Sequence, residues 1–265
     1  MLPSKPTELP DETANTRYAA NYKSFFDEPL NPDKAAIAWG APDVVDERWA
    51  RIRRRHATEV LAFLRQDNLT SMTSFCDFSA GAGYCTFAAA KNYKIVFHCD
   101  LSAASLLYAC RKASFLGLEN IVFLRADYFA PPFRSSCHHI VCLDTLIRGE
   151  WHEQRLLRSV RNALLPGGAA VVDFHNWWHN PLRRMGLLHE NFAENRSYGA
   201  SELRRLLTHT GVGDFDLRPF VQEIDADRGS ARFLKWIIPA TRFLVRFTSQ
   251  EELAGPDVLT RSVAT

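Results

Sequence analysis

Asp77-Phe78-Ser79-Ala80-Gly81-Ala82-Gly83 is the stretch that decides how this chain is read. The apolar run Thr73–Phe78 leads into it and the small-residue run Thr86–Ala90 leaves it, so the loop joins a strand to a helix. Glycines at such a joint let the backbone pass close to a ligand that a Cβ would exclude, and the amides opening the next helix can meet polar ligand groups. A glycine pair after a strand is common, so the neighbouring segments carry the weight. Asp100 closes the next apolar run, Lys94–Cys99, at about the spacing where a nucleotide-binding α/β unit places the acid that accepts ribose hydroxyls.

Outward from the loop the chain alternates strand and helix. Ser102 caps a helix whose Leu106, Leu107, Cys110 and Ala113 are expected to face inward, and Gly117 ends it. Ile121–Leu124 and His139–Leu143 read as the third and fourth strands. Gln154–Leu164 reads as a helix broken by Pro166-Gly167-Gly168, and Ala169–Phe174 as the fifth strand. Ser201–Thr210 is a further helix ended by Gly211, with a strand near Phe215–Phe220. This order predicts an α/β fold with a doubly wound, mostly parallel sheet, its ligand at the carboxyl ends of the strands. Residues 1–12 read as a disordered lead-in and 13–70 as an N-terminal helical lid. The core is expected over 71–225 with an acceptor-side insertion at about 175–200, followed by a C-terminal segment, 226–265, packing on the core or a partner. In the lid, Trp49, Ile52, His56, Val60 and Phe63 form one apolar face, and Arg51–Arg55 read as a solvated one. The aromatic cluster Tyr18, Tyr22, Phe25, Phe26 and Trp39 is expected to pack over something.

Composition narrows the function classes. With 32 basic and 30 acidic side chains among 265 residues, the chain has no strongly basic character, and nucleic acid is not the expected partner. The six cysteines include no Cys-x-x-Cys pair and read as packing thiols. No apolar run is long enough for a membrane span and no secretory signal opens the chain, so a cytoplasmic protein is expected.

Four segments together resemble the class I S-adenosylmethionine-dependent methyltransferases, from about Phe75 to Phe174 and weakly on to Phe220. Asp77–Gly83 resembles the family's D-x-G-x-G-x-G loop with Ser79 in place of the first glycine. Asp100-Leu101-Ser102 and Ala126-Asp127-Tyr128 resemble its second and third motifs, and Leu165-Pro166-Gly167-Gly168 its turn into the fifth strand. The resemblance implies a seven-stranded-type Rossmann-like sheet that binds S-adenosyl-L-methionine and releases S-adenosyl-L-homocysteine. Asp77, Ser79, Ala80, Gly81 and Gly83 would then shape the methionine end. Asp100 would take the ribose with Leu101 against the adenine, Asp127 would read the adenine amino group beside Ala126 and Tyr128, and Leu143 and Asp144 would line the pocket after the fourth strand. At Ser79 a positive φ would mean strain. An NAD(P) dehydrogenase would want a third small residue where Thr86 stands, and has no reason to carry the Leu-Pro-Gly-Gly turn.

Methyl transfer needs alignment and, where the acceptor carries a proton, a base. His152, His175 and Asn176 are the catalytic candidates after the fourth and fifth strands; Trp177, Trp178, His179, Arg183 and Arg184 lie close by in sequence. No metal is expected at His175/His179 or at Cys137-His138-His139 with Cys142. The expected acceptor is a small molecule with a hydroxyl or amine, O-methylation being preferred because histidines cluster there. A catalytically degenerate binding or assembly partner is the alternative. Phe233–Phe247, apolar but interrupted by Lys235, Arg242 and Arg246, is expected to pack on its own domain or in a homodimer.

Overall fold

The computed structural model describes residues 47–65, 73–145, 150–176, 197–220, 240 and 242–249. The segments holding Tyr18 to Trp39, Trp177 to Arg184 and Phe233 to Lys235 lie outside them. Helices α1 (Glu47–Leu64), α2 (Tyr84–Ala89), α3 (Ala103–Phe115), α4 (Glu150–Ala163) and α5 (Ala200–His209) flank one sheet. Its strands are β1 (Ser74–Phe78), β2 (Ile95–Asp100), β3 (Ile121–Arg125), β4 (Cys137–Cys142), β5 (Leu164–Asn176), β6 (Ser197–Tyr198), β7 (Phe215–Phe220) and β8 (Arg242–Thr248). The order across the sheet is β3-β2-β1-β4-β5-β8-β7, with the short β6 beside the end of β5. Strands β1 to β5 run parallel, and β8 runs antiparallel to both its neighbours. The strand order reverses between β1 and β4, so the crevice for a ligand opens there, at the carboxyl ends.

Two apolar layers sandwich the sheet. On one face α1 and α2 bring Val60, Leu61, Leu64, Cys85 and Ala89 against Phe75, Val96, Val141 and Val171. On the other, α4 and α5 bring Leu156, Val160, Leu203 and Leu207 against Cys76, Ile140, Val172 and Phe174. The described part of the expected lid, α1, is thus a component of the core layer. Among the described residues no helix is long and apolar enough to cross a membrane.

Several expectations need correcting. Helix α3 buries Ala104, Ser105, Tyr108, Ala109 and Ala113, while Leu107 and Cys110 are exposed. Its small residues let it settle close on the sheet, and that close approach overrides the larger apolar side chains. The break expected at Pro166-Gly167-Gly168 lies inside β5, whose pairing with β4 shifts register between Cys137 and His139. Gly167 has φ +74, and a Cβ on Gly168 would stand 2.8 Å from the His138 carbonyl oxygen. Part of the C-terminal segment is β8, a strand inside the sheet. Arg242 and Arg246, which looked like interruptions, alternate with Phe243, Val245 and Phe247, which enter the α4/α5 layer.

Candidate functional site

The loop after β1 is held from two sides. Asp77 is buried, and its Oδ2 accepts hydrogen bonds from the Thr86 amide at 2.8 Å and the Thr86 hydroxyl at 2.7 Å. Because that hydroxyl gives its one hydrogen to Asp77, the His98 Nδ1 2.9 Å away donates to Thr86 in turn. Burial raises the Asp77 carboxyl to about 7; the two Thr86 bonds oppose the rise and the Asp100 charge adds to it. Burial likewise keeps His98 neutral, with its pKa lowered to about 3. Thr86, at the position where a dinucleotide fingerprint would carry its third glycine, is therefore the bolt between loop and helix.

Asp100 holds the other side. Its Oδ2 accepts the Gly81 amide at 2.7 Å and its Oδ1 the Ser102 amide at 2.8 Å. The loop backbone turns through positive φ three times, at Ser79 (58°), Gly81 (52°) and Gly83 (79°). The serine in place of glycine thus occupies a left-handed conformation that L-residues adopt at a cost. At the next strand end, Ala126 donates its amide to the Asp100 carbonyl at 3.1 Å, and Asp127 accepts the Phe129 amide at 2.8 Å. Leu101, Ala126, Asp127 and Tyr128 are all partly exposed along this rim.

Across the crevice, Leu143 and Asp144 follow β4. The register that pairs Phe78 with Cys142 brings this turn beside Ser79 and Ala80. Asp144 has φ 56° and donates its amide to Asp173 Oδ1 at 2.9 Å. Its carboxylate meets two guanidinium groups, Arg53 of α1 and Arg242 of β8, the latter at 2.5 Å. Arg242 also reaches Asp173 Oδ2 at 2.6 Å. Burial raises the Asp173 carboxyl to about 6, with Arg242 opposing and Asp144 adding. For Asp144, the paired guanidinium groups outweigh burial and hold the carboxyl well below the usual carboxylate range. His56, one turn beyond Arg53, is buried and stacked on Phe220 at 4.7 Å. Burial is the main cause that lowers its pKa to about 4; Asp144 opposes this, while Arg242 and Arg53 reinforce it.

The three catalytic candidates do not share one surface. His175 and Asn176 are consecutive on β5, so their side chains leave opposite faces. His175 is partly exposed on the face of Asp173 and Arg242, and Asn176 is buried on the α4 face. His152 is buried with its ring stacked on Phe129 at 5.4 Å. Next to it in sequence, the fully buried Glu153 accepts the Tyr198 hydroxyl. In the Cys137-His138-His139 run, His138 bonds Thr73 and Ser74 while His139 bonds Tyr93, so these rings serve packing. No group of three metal-ligating side chains occurs among the described residues.

Sequence reasoning missed Arg53, Arg242, Asp173 and the role of Thr86. The available signal was Asp173 itself, an acid inside the apolar run Val171–Phe174 that needs a cation once buried.

The comparisons agree with this architecture. Residues 75–168 match the model of a methyltransferase domain. A methyltransferase from Haloferax volcanii, solved in complex with the Trm112 methyltransferase activator, is 15% identical with a TM-score of 0.57, covering 74% of this chain and 89% of that one. The N-methyltransferase NodS from Bradyrhizobium japonicum is 16% identical with a TM-score of 0.53, over 76% of this chain and 98% of that one. The phosphoethanolamine N-methyltransferase 2 of Haemonchus contortus is 14% identical with a TM-score of 0.56, over 75% of this chain and 53% of that one. No curated protein matches the chain in sequence. Residues 75–168 thus carry a methyltransferase-domain match, and the sheet has the fold of the class I, Rossmann-like methyltransferases.

Proposed function

We propose that the protein transfers a methyl group from S-adenosylmethionine to a hydroxyl or amine of a small-molecule acceptor, with a hydroxyl preferred. The observation that carries the reading is the Asp100 bridge, which fixes a carboxylate and the glycine loop to each other at the rim of the crevice. The donor set suits the cofactor. Asp100 and Asp127 are acceptors for ribose hydroxyls and for the adenine amino group, and Leu101, Ala126 and Tyr128 offer apolar surface to the base. The backbone of Ser79, Ala80, Gly81 and Gly83 would lie along the amino-acid end, with Leu143 and Asp144 opposite and Asp77 beneath as the anchor of the loop. Two of the structurally similar enzymes, the NodS and phosphoethanolamine proteins, are N-methyltransferases, and the second was solved with phosphomonomethylethanolamine, a small molecule.

When bound, the cofactor supplies an electrophilic methyl group on a sulfonium. What remains for the chain is to align the acceptor and to take its proton. Asp144 is a poor base, because both guanidinium groups stabilise its ionised form. His175, partly exposed on the face of Asp173 and Arg242, is the residue we assign to take it. His152 and Asn176 would act from the opposite side of the sheet, as wall residues. Free thiols at all six cysteines among the described residues suit a reducing compartment, and we place the protein in the cytoplasm.

Calorimetric titration with S-adenosylhomocysteine tests the reading. We expect binding that Asp100→Ala weakens by about 100-fold, since the carboxylate would accept the ribose hydroxyls and hydrogen bonds to a charged group contribute about 1.5–3 kcal/mol each. Absence of binding at saturating ligand would favour the degenerate, non-catalytic reading.

A further inference from the structure

Among the described residues the sheet ends in two edge strands, β3 and β7, and they are defended differently. Strand β7 carries Asp216, Arg218 and Pro219, charges and a missing donor that discourage a further strand. Strand β3, Ile121-Val122-Phe123-Leu124-Arg125, has a single charge at its end and no proline. The large apolar side chains exposed among the described residues gather beside it. Val122 is on β3 itself; Leu107, Phe115 and the capping Leu116 belong to α3, which packs on β2 and β3. Phe115 is 89% exposed. A lone exposed apolar residue is ordinary, but a group of them along one undefended edge marks a contact surface.

The backbone determines what this edge can pair with. The Asn120 carbonyl accepts the Val96 amide at 2.9 Å, and the Ala126 amide donates to the Asp100 carbonyl at 3.1 Å. In a strand each residue turns both of its main-chain groups to the same side. Even-numbered positions therefore face β2, and Ile121, Phe123 and Arg125 present amide and carbonyl outwards. A second copy of the chain meets the edge through a two-fold axis, which makes the pairing antiparallel and self-complementary. Odd positions must then stand opposite odd positions. Centred on Phe123, the pairing sets Glu119 against the partner's Asp127, and like charges repel. Centred on Leu124, it sets Ile121 against the partner's Asp127. Centred on Val122, it sets Glu119 against the partner's Arg125 and Ile121 against the partner's Phe123, each twice by symmetry.

That third register suits the side chains. Glu119 and Arg125 are both exposed, and Arg125 is braced by its Nε, which donates to the Leu101 carbonyl at 3.1 Å. Val122, 37% exposed, meets its own symmetry mate in a non-hydrogen-bonded pair, where Cα atoms approach to about 4.5 Å. The axis stands perpendicular to the sheet, so both copies of α3 lie on one face, beside each other.

We propose that two copies of the chain join their β3 edges antiparallel about Val122 into one continuous sheet, with Glu119 of each copy paired to Arg125 of the other. The inference is independent of the methyltransferase reading.

Sedimentation of the full chain over a range of concentrations tests it, with the dimer dissociation constant as the readout. Wild type is expected to dimerise. Glu119→Arg and Arg125→Glu each set like charges opposite one another at two symmetry-related points, and each should weaken the dimer by about 10-fold. Combined, the two substitutions restore opposite charges, and the dimer should return to near wild-type strength. Val122→Lys, a charge in the middle of the edge, should give a folded monomer. Because the double variant regains what each single variant loses, a folding defect cannot imitate the result, and Val122→Lys supplies an independent reading. A wild type that is monomeric at every concentration overturns the proposal, including the case in which a different protein occupies the edge. So does a dimer that none of the three single substitutions weakens, or a double variant no tighter than the single ones.

Discussion

Ser79 allows the backbone of the cofactor loop to be tested at one atom. It stands where the loop it resembles carries a glycine and has φ 58°, inside the left-handed region. An L-residue there bears roughly 1–2 kcal/mol of steric cost, because its Cβ crowds the following carbonyl oxygen. Glycine has no Cβ, but it loses about 0.4–1 kcal/mol through the freedom it regains in the unfolded chain. Ser79→Gly and Ser79→Ala both lose the hydroxyl and any contact it makes with the Cys142 thiol. Their difference therefore isolates the backbone. We expect the glycine variant to be the more stable of the two by about 1 kcal/mol, the size expected when alanine is forced into positive φ. In a chain of this size that is about 2–4 °C in melting temperature, or a shift in the urea midpoint at unchanged slope. Alanine equal to or more stable than glycine would show that position 79 does not hold the left-handed conformation, and the account of loop strain would fall.

The remaining expectations concern buried charge. Asp77 has a folded pKa of about 7 against an ordinary 3.8, so between these values the folded protein keeps a proton that the unfolded chain has released. Its contribution to stability is present at acid pH and is lost as pH rises through 7. Asp77→Asn keeps an acceptor for Thr86 but cannot titrate; urea midpoints at pH 5 and pH 8 should therefore differ less than in wild type, with the variant gaining most at pH 8. Arg242→Leu should cost about 3–5 kcal/mol, because it strands Asp173 and half of the Asp144 clamp. Adding Asp173→Asn should recover part of that loss in the same denaturation assay, and no recovery would mean the pair is not energetically linked.

What was legible in the sequence is what local pattern encodes. The loop, the Ser102 cap and the strand–helix alternation are written within windows of a few residues, and the structure reproduces the cap with Ser105 donating its amide to the Ser102 hydroxyl oxygen. The ion network was not legible, because its partners come from distant segments: Arg53 and Asp144 are 91 positions apart and Arg242 and Asp173 are 69 apart. No periodicity reports such pairings. Strand β8 was hidden for a related reason. Arginines inside an apolar run read as surface until Asp144 and Asp173 are known to stand opposite Arg242. The α3 face was misread because size was taken as the guide to burial, whereas Ala104, Ala109 and Ala113 are buried by close approach to the sheet.

The place of β8 also constrains how the molecule comes into being on the ribosome. Strand β5 is complete at Asn176, but the strand that covers its far side ends only at Thr248. Until that late segment emerges, the nascent chain exposes a long, apolar, unpaired edge, the template that other chains pair with most readily. Strand β7, made earlier, cannot cover it, since in the sheet it touches β8 and not β5. A chain cut near residue 225 would keep the glycine loop and all the acids after β1, β2 and β3, and would still be an aggregation hazard instead of a minimal domain.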